Sequence, residues 1–205
     1  MQFYSQYSQD KFLYENFFKN QSDGYFVDIG AHDGVTFSNS LFFEKLGWKG
    51  SCFEPIPNVF KLLDTNRNCS KYQIAISDKT GFDKFLALEG YTEMLSGIYD
   101  NYDPNHLNRV DRELQIKGGK KTIIEVPTST LNDIDLPEVI DYLSLDVEGS
   151  ELKILQTIDF EKYYIKYMTV EVNNSQNEIY NLLTSKGFSR IGSLGCDDVY
   201  KNNKN

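Results

Sequence analysis

Short apolar runs recur along this chain, each closed by a glycine, a serine or an acid. Most are followed by a segment whose apolar positions fall at helical spacing. Runs too short for a helix and flanked by turn residues read as buried strands. Strands are expected over 25–29 (Tyr-Phe-Val-Asp-Ile), 50–54, 72–76, 82–88, 122–126, 140–146 and 167–172. Helices are expected over 8–18, 35–43, 57–66, 150–157 and 177–186. Ser8 reads as a cap, Pro57 as a first-turn proline and Gly187 as a terminator. Pro127 reads as the end of the strand before it. Segments 189–194 and 198–201 suggest a closing hairpin, and 201–205 a polar, frayed tail. Residues 89–120, broken by Gly90, Gly97, Pro104 and Gly118-Gly119, show no clean period and read as a long functional loop.

Strands alternating with helices across short connections imply an α/β, doubly wound, mostly parallel sheet with helices on both faces; the hairpin adds an antiparallel edge strand. Ligands of such sheets sit beyond the carboxyl ends of the strands. Polar residues stand at or near those ends in strand after strand: Asp28, Glu54, Ser77, Asp146 and Glu171.

The first expected strand breaks into Gly30-Ala31-His32-Asp33-Gly34, and the helix expected over 35–43 follows. Strand, glycine turn and helix form a layout that offers backbone N–H groups to a nucleotide-like ligand. The spacing is Gly-x-x-x-Gly, not the Gly-x-Gly-x-x-Gly of pyrophosphate binders. Asp28 within the motif repels a diphosphate and attracts a cation. S-adenosylmethionine (SAM) carries a sulfonium and an ammonium and no phosphate. Glu54 follows Gly30 by 24 residues, the separation at which an acid accepts hydrogen bonds from ribose. Its plainer reading is a carboxylate at a helix start. Ser77 ends a strand where a side chain meets an adenine edge, or merely turns the chain.

Asp146, Glu148 and Glu171 concentrate negative charge at neighbouring strand ends. Carboxylates held close raise one another's pKa or share a cation, and oxygen ligands suit Mg²⁺, Ca²⁺ or Mn²⁺. The alternative is that Glu148 and Glu151 bind backbone N–H groups at a helix start. Asp146 is the first choice for base or metal ligand, with Glu171 as second ligand, Glu148 and Glu171 assisting, and His32 as the alternative base. His32 equally suits an ordinary turn position, and His106 reads as solvated. Two histidines make a histidine-based zinc site a poor fit. Tyr91, Glu93, Ser96 and Tyr99 mix aromatic and polar groups suited to a sugar ring, or to a packed surface loop.

The 205 residues fit a single domain, complete or cut from a longer multidomain protein. A net charge of −9 argues against nucleic acid and against an anionic membrane surface. No apolar run reaches the ~20 residues of a membrane helix, and the start lacks the basic and apolar regions of a signal peptide. Cys52, Cys69 and Cys196 show no motif spacing, which fits a reducing, cytoplasmic setting.

Five segments occur in order: Ser5-Gln6-Tyr7-Ser8-Gln9-Asp10, Val27-Asp28-Ile29-Gly30-Ala31-His32-Asp33-Gly34, Phe53-Glu54-Pro55, Ala75-Ile76-Ser77 and Leu145-Asp146-Val147-Glu148-Gly149-Ser150-Glu151. Together they resemble the FkbM family of SAM-dependent methyltransferases, over roughly residues 5–190. The resemblance implies a class I (Rossmann-like) methyltransferase fold with a seven-stranded sheet. It also implies O-methylation of a sugar, glycan or natural-product hydroxyl, and fusion to glycosyltransferase domains is an expectation that goes with such an acceptor. By position, Asp28, Gly30 and Gly34 would contact the methionine part of SAM, Glu54 the ribose and Ser77 the adenine. Ala31, His32, Pro55 and Asp146 would complete the cofactor wall, and Gln9 and Asp10 would fold over it. His32 departs from the family, which more often has asparagine there. Two rival readings stand beside this one: a NAD(P)-dependent oxidoreductase, and an inactive methyltransferase-like scaffold.

Overall fold

A computed structural model describes residues 1–173 and 175–204. The large sheet contains β1 (Tyr25–Ile29), β2 (Lys49–Phe53) and β3 (Ser70–Tyr72). A second, smaller sheet is built from β4 (Ala75–Ile76), β5 (Gly81–Glu89), β6 (Gly97–Ile98) and β7 (Lys120–Ser129). The chain then returns to the large sheet with β8 (Val139–Leu145), β9 (Tyr164–Glu171), β10 (Phe188–Leu194) and β11 (Asp197–Asn202). The large sheet runs β10-β11-β9-β8-β1-β2-β3 and is parallel except for β11, which is antiparallel to both neighbours. It is the expected seven-stranded sheet with a late antiparallel strand, but that strand is inserted between β9 and β10 rather than lying at the edge, because β11 pairs with both.

Successive residues of β1 face opposite sides of the sheet. Val27 and Ile29 join a core with Leu143, Leu145, Ile154 and Leu183, under α5 (Glu151–Thr157) and α6 (Gln176–Ser185). Phe26 points the other way, with Leu13, Phe43, Trp48 and Leu63, under α1 (Gln9–Leu13), α2 (Leu41–Lys45) and α3 (Pro57–Asn66). Phe18 packs edge-on against Trp48 at 4.8 Å. Three layers result.

The strand order reverses at β1, which lies between β2 and β8. Ile29 is level with Phe53 and with Leu145, and Leu145 with Val170. The residues just beyond, Gly30, Glu54, Asp146 and Glu171, therefore emerge along one rim.

Several expectations change. The helix expected over 8–18 is α1 followed by a wider turn over Tyr14–Phe18. Ser8 makes no cap: it sits at φ 67 with no side-chain hydrogen bond to the helix. Asp10 fixes the lead-in instead, accepting from Tyr4 N at 2.6 Å and Ser5 Oγ at 2.5 Å. Of the helix expected over 35–43, only the end survives, as α2. The Asp33 carboxylate takes the N–H groups of Val35 (2.8 Å) and Thr36 (2.7 Å), a local turn that competes with helix. The strand expected over 72–76 divides between the two sheets, and those over 82–88 and 122–126 lie in the smaller one. β7 runs through Pro127, which faces Phe82 of β5.

The irregular stretch 89–120 contains α4 (Pro104–Lys117), a 14-residue helix. The Asp103 carboxylate caps it, accepting from Asn105 N at 2.7 Å and His106 N at 3.2 Å. Lys201 and Asn202 do not fray. They extend β11, with Asn202 Nδ2 donating to Ile165 O at 2.9 Å. Asn205 lies outside the described residues. No helix among the described residues is long and apolar enough to cross a membrane.

Candidate active site

A cavity of about 280 Å³ opens above the carboxyl rim of β1, β2, β8 and β9, with the smaller sheet and α4 on its far side. Gly30 sets its floor. At φ +90 it passes so close to β8 that a Cβ would stand 1.8 Å from the Asp146 carbonyl oxygen. Only glycine allows that crossing, which places the Asp146 and Glu54 side chains on one wall. Two of the turn's amides are spent within the sheet, since Gly30 N and Ala31 N both donate to Phe53 O at 3.1 and 3.0 Å, and the His32 N–H is directed to the Glu54 carboxylate. No helix begins there either. The expected backbone cradle is thus replaced by side chains.

Glu54 is buried, and its Oε1 accepts from Ile56 N at 2.7 Å. Burial pushes its carboxyl up to about 7. Asp28 is buried too, and burial raises its pKa. It accepts from Ser40 Oγ at 2.5 Å, and Ser40 Oγ in turn accepts from Arg67 Nη2 at 2.9 Å. The fully buried Arg67 also pairs with Glu44 at 2.7 Å and donates to Gly34 O at 3.2 Å. Residues 34–40 are thereby tied to a buried guanidinium, which offsets the Asp28 charge.

Asp146, Glu148 and Glu171 converge, each offering a carboxylate oxygen within 4.8 Å of the other two. All three are held well above the usual carboxylate range by burial. Each is pushed further by its neighbours: Glu171 acts most on Asp146, Asp146 on Glu148, and Glu148 on Glu171. Glu148 adopts φ 58, a left-handed conformation unusual outside glycine. Of the two acids expected to bind backbone N–H groups, only Glu151 does so, accepting from Val147 N and Gly149 N at 3.0 Å.

His32 also has positive φ, at 50, and its Nε2 lies 2.8 Å from Glu93 Oε1, clasping the smaller sheet to the glycine turn. Gln9 hangs over the opposite edge, where its Nε2 donates to Asp197 Oδ2 at 2.8 Å.

Gln9, Asp28, Gly30, Ala31, His32, Glu54, Pro55, Glu93, Ser96, Asp146, Glu148 and Glu171 all line the cavity. Five expected site residues lie off its wall. Asp10 is consumed by the N-terminal segment. Gly34, at φ +79, packs against Arg67 and Leu63. The Ser77 backbone N–H joins Ser129 O at 2.9 Å, and its hydroxyl turns to Asp78. Tyr91 is exposed beside Lys117, and Tyr99 packs under α4. Where Ser77 was expected, Ile74, Ala75, Ile76 and Phe85 form an apolar slot.

The sequence profile of the Methyltransferase FkbM domain matches residues 28–190. The chain belongs to this family. Methyltransferase 1 of Beauveria bassiana (strain ARSEF 2860) is 27% identical over 184 residues, covering 82% of this chain and 73% of that protein. Among solved structures, a Burkholderia thailandensis 1,6-didemethyltoxoflavin-N1-methyltransferase, with bound 1,6-didemethyltoxoflavin and S-adenosylhomocysteine, has 8% identity and a TM-score of 0.47. That likeness covers 97% of this chain and 80% of the other. A SAM-dependent methyltransferase of Aquifex aeolicus has 16% identity and a TM-score of 0.42, covering 95% and 89%.

In this FkbM-family chain, four residues of the site and its surroundings escaped sequence reasoning. Arg67 is a buried cation with no sequence mark. Arg109 and His106 come from α4, whose signals were legible: Asp103-Pro104 at the start, Leu107, Val110 and Leu114 on one face, and Gly118 after the end. His106 is buried rather than solvated. Asp197 lies in the turn side of the hairpin and reaches the cavity only because β11 inserts beside β9.

Proposed function

We propose that the protein is an O-methyltransferase that transfers the methyl group of SAM to a hydroxyl of a sugar, a glycan or a related small molecule. The observation that carries this reading is the acidic rim. Glu54, Asp146 and Glu171 stand at the carboxyl ends of β2, β8 and β9, parallel strands on the two sides of β1, and face one cavity beside an apolar slot. Glu54 is placed to accept hydrogen bonds from the ribose hydroxyls. Ile74, Ala75, Ile76 and Phe85 suit the adenine ring in place of Ser77. Asp28, Gly30 and Ala31 shape the floor for the methionine end, and Gln9 with Asp197 closes over it.

Methyl transfer is an in-line displacement, so the acceptor oxygen must stand opposite sulfur. Such orientation can supply about 7–11 kcal/mol. A sugar hydroxyl is a weak nucleophile, and a positioned base contributes about 10²–10⁴-fold. The raised pKa of Asp146 makes its carboxylate a better base than an exposed one. His32, held by Glu93, is the second candidate. A divalent cation, Mg²⁺ or Mn²⁺, belongs to this reading: Asp146 and Glu171 would hold it, and a bound cation lowers the pKa of a coordinated hydroxyl. Glu93 would touch the acceptor, whereas the Ser96 hydroxyl is taken up by Glu93 O and Leu88 N and would contribute only by shape. A chain of this kind suits a larger, cytoplasmic glycan-synthesis protein with glycosyltransferase domains.

The test combines calorimetry with isotopic transfer. SAM should bind and NAD should not. Labelled SAM should then mark at least one member of a panel of free sugars and glycans. In Asp146→Asn, SAM affinity should stay within a few-fold while transfer collapses. Binding of NAD in preference to SAM would replace the reading with an oxidoreductase. Binding without transfer to any acceptor would favour a scaffold.

A further inference from the structure

Three carboxylates facing one another in a buried wall repel unless a cation or shared protons lie between them. Asp146, Glu148 and Glu171 are such a group, and their nearest oxygens lie within 4.8 Å of one another. Oxygens around a Mg²⁺ with bonds of about 2.1 Å stand about 3 Å apart when adjacent and about 4.2 Å when opposite. At most one of the three pairs can be opposite, so from the 4.8 Å limit the other two pairs draw together by up to about 1.8 Å when a cation binds, a shift within reach of carboxylate side chains.

A second observation comes from the inserted helix. The His106 side chain is 7% exposed, and its Nε2 lies 3.5 Å from Glu148 Oε2, beyond hydrogen-bond reach. Both atoms are buried with no hydrogen-bond partner. Buried polar atoms are normally paired, and two orphans facing each other at an acidic cluster mark a ligand-dependent arrangement. Glu148 is also held at positive φ, a conformation unusual outside glycine, and its carboxylate faces the other two. Glu151 has already taken the Val147 and Gly149 amides that would otherwise satisfy Glu148.

We infer that Asp146, Glu148 and Glu171 form a three-carboxylate site for a hard divalent cation, Mg²⁺ or Mn²⁺, and that His106 orients Glu148 within it. Carboxylate and carbonyl oxygens select such cations over softer ones. Ligating carboxylates are commonly held by an outer hydrogen-bond partner, which His106 becomes when its ring moves a few tenths of an ångström toward Glu148. The site lies at the ends of β8 and β9, on the acceptor side of the proposed SAM position. Its catalytic meaning rests on the methyltransferase reading, but cation binding itself does not.

Mn²⁺ binding to the full chain, followed by electron paramagnetic resonance, tests the inference, first without and then with S-adenosylhomocysteine. One saturable site displaced by Mg²⁺ is expected in at least one of the two states. Glu148→Gln and Glu171→Gln should each weaken it at least about tenfold, and His106→Gln by about 10–100-fold. Retained S-adenosylhomocysteine binding and an unchanged near-ultraviolet circular dichroism spectrum show that each variant is folded. Where one variant fails to fold, the other two decide. Absence of saturable Mn²⁺ binding in both states overturns the inference. So does equal binding in wild type and folded variants, which would mark an ion held loosely by the acidic surface. A protein that binds Mn²⁺ at these residues but ignores S-adenosylhomocysteine would retain the cation site and lose the proposed function.

Discussion

Gly30 and Glu54 carry the site's geometry at the scale of single residues. Gly30→Ala should destabilise the fold by at least about 3 kcal/mol, since it combines a left-handed φ with a backbone collision at Asp146. Urea unfolding of the variant measures this, and a loss under 1 kcal/mol would mean that the β1–β8 crossing relaxes freely. Glu54→Gln should weaken S-adenosylhomocysteine binding by about 10–100-fold, the worth of a charge-assisted hydrogen bond. Burial holds the Glu54 carboxyl at about 7, so its accepting form is lost as pH falls below that value. Affinity should therefore decline from pH 8 to pH 6 in the wild type and stay nearly flat in the variant, as calorimetry at several pH values would show. The sequence marked both residues by type and spacing. It gave Asp28 a direct ligand role that the buried Arg67 and Ser40 now share, because nothing in a linear string reveals a guanidinium 39 positions away.

Among the elements, α4 is the instructive one. Its cap, apolar stripe and terminal glycine stand in the sequence, yet the surrounding glycines and proline disguised it as loop. Asp103→Ala removes the carboxylate that holds Asn105 N and His106 N and should lower stability by about 1 kcal/mol. Faster amide exchange confined to the start of α4 would accompany it. Exchange spread evenly over the chain would mean that the helix is not a separate unit. The converse error concerns residues 35–43. Their apolar positions suit a helix, but Asp33 captures two backbone N–H groups first. Pattern reports which face could be buried; a side chain competing for the backbone decides whether the helix starts.

For the whole molecule, the concentration of raised carboxyls sets the response to pH. Glu54, Asp146, Glu148 and Glu171 bind protons more tightly folded than unfolded, so the folded state gains stability as pH falls through their raised folded values toward the ordinary carboxylate range. Between pH 8 and about 7 the melting temperature of the ligand-free protein should rise. Below that, His106, whose pKa is lowered by burial, opposes the trend. A melting temperature that falls over this interval would show that the four carboxyls are not jointly buried. Saturating Mn²⁺ should flatten the dependence, because a bound cation favours the ionised forms.

Apolar runs and their spacing determined the parallel sheet, its late antiparallel strand and the acids at the strand ends, since periodicity and strand length are local properties written residue by residue. Only the tertiary structure decided that residues 75–129 fold into a second sheet and helix above the rim. That packing gave Glu148 a histidine neighbour and withdrew Ser77 and Tyr91 from the cavity wall, while β2 took the Gly30 and Ala31 amides through Phe53 O. Those outcomes depend on which distant groups reach the same buried space and on how each backbone hydrogen bond is satisfied there.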